Sequence, residues 1–144
     1  MQAYEHRQWA PWSILVLLVI IAAASTAHRV PEALYVFWVF LAIVVFGFAR
    51  LTTQADRNGV MWSFTFGVPG GHVSFADLDH AEITRTNFFE GWGIHWTVWH
   101  GWIWNVSGFR AVELFYRNGR RVTLGTDDPQ GLFDAIERFR RGVS

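Results

Sequence analysis

Apolar and polar positions are spread unevenly along this chain. Residues 10–27 carry no charged side chain and include the unbroken run Ile14 to Ile21. A helix of that length reaches about 27 Å, near the thickness of a bilayer's hydrocarbon core, so the pattern predicts a membrane span. A second uncharged stretch covers 33–49 and stops at Arg50. Between them His28-Arg29-Val30-Pro31-Glu32 is short and polar, with Pro31 suited to the first position of a helix. The expectation is a two-helix transmembrane hairpin within an N-terminal segment 1–57, both ends on one side.

A cleaved signal peptide competes for the first stretch, because Ala22 to Ala27 are small. Glu5 beside Arg7 and the immediate second stretch favour a retained helix. Arg7, Arg50 and Arg57 outnumber Arg29 of the connection, which by the positive-inside bias puts both termini and the rest of the chain in the cytoplasm. Trp9, Trp12 and Trp62 suit the membrane interface. Phe37, Trp38 and Phe40 form an aromatic wall, read either as lipid-facing bulk or as contact with another membrane protein.

Beyond Asn58 the period changes to two. Val60–Phe66, Ile83–Phe89, Ile94–Val98, Trp102–Val106, Ala111–Tyr116 and Arg121–Gly125 read as strands. Asn118-Gly119 is the pair favoured in a type I′ hairpin turn. Asp128 then caps a last helix with Pro129 at its first position, and Leu132, Phe133, Ile136 and Phe139 make an apolar stripe. Strands followed by one amphipathic helix predict a curved antiparallel sheet covered by that helix over 58–144.

Composition narrows the function. Twelve cations, all arginine, balance twelve acids, so the overall charge gives no case for nucleic acid. With no cysteine there is no disulfide, thiolate site or thiol nucleophile. The segments Gly101-Trp102-Ile103-Trp104-Asn105-Val106-Ser107-Gly108, Ala111-Val112-Glu113-Leu114, Asn118-Gly119-Arg120-Arg121 and Leu124 to Ile136 resemble small bacterial membrane proteins with a pleckstrin-homology-like domain. The resemblance implies two transmembrane helices before a partly open β-barrel closed by a C-terminal helix, and a binding or scaffolding role at the inner membrane. It brings no catalytic residues. The tryptophans of 92–104 exceed what it requires.

Those five indoles are too many for one small core, since each large aromatic needs roughly 150–250 Å² of cover. Trp96, Trp99 and Trp102 are therefore the candidates for contact with a partner, tryptophan being a favoured interface anchor. Arg117, Arg120 and Arg121, with Arg138, Arg140 and Arg141, form two basic clusters able to meet anionic lipid headgroups. His95 and His100 could ligate haem or a metal, but their spacing matches no established pattern, and no metal ligands are assigned. Asp77, Asp79 and Glu82 read as solvated turn charges. Phosphate loops and nucleophile elbows are missing from the sequence. The expected role is non-catalytic and without cofactor: an accessory or stabilising subunit of a larger inner-membrane complex, respiratory or photosynthetic in type. The alternatives are a module binding anionic lipid and a haem or metal protein.

Overall fold

The computed structural model describes residues 3–25, 32–86 and 93–143. Strand β1 (Tyr4–Trp9) leads into helices α1 (Pro11–Ser25) and α2 (Glu32–Gly47), which pack on each other. Strands β2 (Arg50–Asp56), β3 (Gly59–Phe64), β4 (Gly70–Val73), β5 (Leu78–Arg85), β6 (Gly93–Thr97), β7 (Gly101–Asn105), β8 (Arg110–Tyr116) and β9 (Arg121–Gly125) follow, and helix α3 (Pro129–Val143) ends the chain. His28 to Pro31, Phe88, Phe89 and Trp92, to which the sequence assigned a connection, a strand end and part of the indole cluster, lie outside the described residues.

Two expectations are overturned here. Helices α1 and α2 have 15 and 16 residues, hence about 22 and 24 Å, against the roughly 30 Å of a hydrocarbon core. No described helix is long and apolar enough to cross a membrane. The two predicted spans fall, and with them the multi-pass inner-membrane placement and the cytoplasmic orientation derived from them. The reason lies at the ends of the apolar runs. Ala10 and Ala49 leave the helices to continue the strand ladder, Ala10 N–H donating to Ala49 C=O at 2.7 Å.

The pleckstrin-homology-like barrel is the second correction. Among the described residues the strands form two separate sheets, ordered β1-β2-β3-β4 and β5-β8-β9-β7-β6, with no closed barrel. Most pairs are antiparallel, but β7 and β9 run parallel, Trp102 facing Val122 and Trp104 facing Leu124. The architecture is α+β, and β1 and β2 carry the first sheet across the helical hairpin that separates them in sequence.

The core lies between the sheets. Period-two alternation turns Leu51, Thr53 and Ala55 of β2 inward, and Val60, Trp62 and Phe64 of β3 beside them. Opposite, Val112 and Leu114 of β8 pair with Leu124 and Val122 of β9. Trp104 crosses the gap, its ring 5.9 Å from both Trp62 and Phe64. Helix α3 lies against β5, β2 and β8 and buries Leu132, Ala135, Ile136 and Phe139, so it closes one open side of the pair. Its start is as the sequence predicts: Asp128 accepts from Gly131 N–H at 3.0 Å, and Pro129 stands first in the helix.

Candidate interaction surfaces

The helical hairpin is one surface. Apolar residues cover α1 and α2 on every side, so neither helix has a polar face to offer water. Ile14, Leu15, Leu18 and Val19 of α1 are exposed, as are Val36, Phe37, Phe40 and Ile43 of α2, several of them by more than 60%. A contiguous patch of this size marks a contact surface. Phe37 and Phe40 are thus presented outward, while Trp38 is half-buried with Phe37 edge-on at 5.7 Å.

The hairpin's root is built differently. Trp12 is half-buried and donates its indole N–H to Val106 C=O at 2.7 Å, and Gln8 donates to Ser107 C=O at 3.0 Å. Trp9 is exposed beneath the Arg50 guanidinium, 5.4 Å from its ring. Trp62 is nowhere near a surface belt; it is 4% exposed on the inner face of β3. The sequence could not separate these indoles, because only the register of β3 shows which way Trp62 turns.

A second surface lies at the other end of the second sheet. Trp96 faces Trp102 across β6 and β7, and Ile94 faces Trp104 on the same side. All four belong to the inner face, because Trp102 and Trp104 sit beside Val122 and Leu124. Trp104 and Ile94 are packed against the core, whereas Trp96 is 59% and Trp102 45% exposed. The inner face therefore runs on past the cover that the first sheet provides. Val98 and Trp99 in the following turn are more exposed still.

The β8–β9 turn brings cations to the same place. Arg120 stacks on Tyr116, and Arg121 lies over Phe115 while donating to Trp99 C=O at 3.1 Å. Arg117 is exposed in the turn itself. Burial raises the Tyr116 phenol's pKa, and the Arg120 charge opposes that rise. Because β7 and β9 run parallel, Arg121 marks the start of β9 and Asn105 the far end of β7, next to the Val106 carbonyl that holds the hairpin's root. The arginine turn and the apolar hairpin thus lie at opposite ends of the sheet, where one flat lipid surface does not serve both. Arg138, Arg140 and Arg141 are elsewhere, on α3. Arg138 lies over Phe139, Arg140 binds Asp79 C=O and Glu137, and Arg141 is 4.0 Å from Glu137.

His100 Nδ1 is 3.3 Å from the buried Glu113 carboxylate, which Arg121 approaches at 3.9 Å. His95 lies on the same face of the sheet, through its pairing with Ile103 and that of Ile103 with Thr123, and its buried Nε2 has no hydrogen-bond partner. His80 stacks on Phe115 and is flanked by Asp79 and Glu82, so two members of the predicted acidic cluster face its imidazole. Among the described residues no group of three or more His, Cys, Asp or Glu side chains is placed to hold a metal ion.

No protein-family model matches the chain, and neither a curated protein nor a solved structure matches it.

Proposed function

We propose that this protein is a non-catalytic docking module, an accessory subunit whose helical hairpin seats in an apolar environment supplied by a larger assembly. The observation that carries the reading is a hairpin apolar on all sides whose large side chains are exposed. Burial of such side chains contributes about 25 cal/mol per Å², so a partner that covers them is strongly favoured over water. The head supports the reading by holding the hairpin rigidly: its two ends enter adjacent strands of one sheet, paired residue by residue from Tyr4–Ala55 to Trp9–Arg50.

Purification in mild detergent, followed by detergent removal, tests the proposal. The expected result is a chain that stays dispersed only with detergent or with a co-purifying partner. A monodisperse monomer in detergent-free buffer overturns it.

A further inference from the structure

Two cavities adjoin the uncovered end of the second sheet. One, of about 340 Å³, lies between the sheets and is lined by Trp62, Gly71, Trp102, Trp104, Tyr116 and Arg120 among others. The other, of about 290 Å³, lies beside it, bounded by Trp96, Val98, Trp102, Arg120 and Arg121. They share Trp102 and Arg120, and no acidic side chain lines either. The first is large enough for about eleven water volumes, or one large side chain with room to spare.

The strands explain why this space exists. β4 ends the first sheet and β6 ends the second, so the gap lies between two sheet edges. On β4, Gly70 and Gly71 bring no side chains to fill it. Gly71 cannot gain one, since a Cβ there would lie 2.3 Å from the Trp62 ring. An edge strand presents unpaired backbone groups, and an added strand is the usual way to satisfy them. A segment laid along β4 would extend the first sheet over Trp102 and Trp96, which are inner-face residues without a cover.

We propose that an extended, acidic segment of a partner protein docks along β4, placing an apolar side chain in the cavity between the sheets and a carboxylate against Arg120. This rests on the docking reading above and adds the place and chemistry of one contact. Charge selects the occupant: Arg120 lines both cavities, and neither cavity carries an acid to neutralise it, whereas Arg121 turns its guanidinium to Phe115 and Glu113 on the other face. Tryptophan and arginine are also the residues that most often anchor protein interfaces.

The full chain, held in mild detergent, is screened against a phage library of random peptides, and the enriched peptides are measured by fluorescence anisotropy. The expected sequences carry Asp or Glu within two positions of an aromatic or large aliphatic residue. Their affinity falls roughly tenfold or more in Trp102→Ala and in Arg120→Glu, and weakens with salt. It is unchanged in Phe40→Ala, a hairpin variant. Trp96→Ala replaces Trp102→Ala if near-UV circular dichroism shows that the latter misfolds. No enrichment, enrichment of basic or uncharged peptides, or indifference to these head substitutions overturns the proposal. So does tighter binding of a labelled oligothymidylate to the same face. A detergent-independent monomer would count against the hairpin reading and leave this result to stand or fall alone.

Discussion

Asp128 joins three parts of the fold, and its replacement by alanine should show how tightly they are coupled. Its carboxylate accepts the Gly131 N–H at 3.0 Å at the start of α3, and the Tyr4 phenol of β1 at 3.1 Å. Loss of an N-cap costs about 1 kcal/mol. The partly buried Tyr4 hydroxyl loses its acceptor, which adds about 1 kcal/mol. The sum of about 2 kcal/mol corresponds to a fall in Tm of about 4–8 °C at this chain length. Thermal unfolding of the full chain in mild detergent, followed by near-UV circular dichroism, measures it. Asp128→Asn keeps an oxygen for the Gly131 N–H but replaces the one that accepts from Tyr4 with an amide NH2, so it should recover the cap's share, whereas Tyr4→Phe removes only the phenol's share. A Tm for Asp128→Ala within 1 °C of the parent would refute the reasoning, because neither the cap nor the strand–helix link would then be contributing.

Other substitutions probe separate layers. Phe139→Ala empties a site 1% exposed between α3 and the sheets and should destabilise by about 3–5 kcal/mol in a denaturant titration. Gly71→Ala forces a methyl group against the Trp62 ring and should cost about 1–3 kcal/mol in the same assay. Trp99→Ala, at a side chain 76% exposed, should leave stability within about 0.5 kcal/mol of the parent. Burial first, and then the Asp128 hydrogen bond, raise the Tyr4 pKa above that of a free phenol. A raised folded-state value favours the protonated form, so this stabilisation is complete below about pH 10 and declines as pH rises beyond it. Unfolding midpoints between pH 9 and 11 should therefore fall less in Tyr4→Phe than in the parent.

Much of the head was legible where signals were local. Alternating strand formers located β3 and β6 to β9 within a few residues, and Asp128, Pro129 and the apolar stripe located α3, but the strand expected at Ile83–Phe89 meets β5 only at Ile83–Arg85, since β5 already starts at Leu78. The β8–β9 turn shows the limit. Its position follows from Asn118-Gly119, but only Gly119 has a positive φ, while Gly119 N–H donates to Tyr116 C=O and Tyr116 N–H to Arg120 C=O. That is a tight turn followed by a left-handed glycine in a three-residue loop, not the type I′ turn that needs positive φ at both central residues. Strands β1, β2 and β4 were not legible. Tyr4-Glu5-His6-Arg7-Gln8-Trp9 is polar and resembles a flank, and becomes a strand through pairing with β2, 41 to 51 positions away. Gly70-Gly71 looks like a break, yet it pairs with Ser63 and Trp62 because only a glycine leaves room for that indole. The apolar stretches misled for a related reason: their composition continues past Gly47 and starts at Ala10, but the strand ladder takes those residues first.

The way the hairpin is rooted constrains how a docked assembly would behave. A module on a flexible linker transmits little from anchor to head, since each rotatable residue absorbs displacement. Here the residues that leave and re-enter the sheet are hydrogen-bonded partners: Ala10 with Ala49 next to the Trp9–Arg50 pair. The Trp12 indole adds a third tie, to the opposite sheet at Val106. Tilting the hairpin thus requires breaking ladder bonds or moving β7, which carries Trp102 at its start. The apolar hairpin and the aromatic, arginine-rich edge are joined through hydrogen-bonded strands, so a partner gripping the first constrains the direction in which the second points. Trp12→Phe removes the tie to Val106 and keeps the aromatic bulk. It should widen the range of hairpin-to-head distances seen by double electron–electron resonance between spin labels at Ile21 and Arg117. An unchanged distribution would mean that the strand pairing alone sets the orientation.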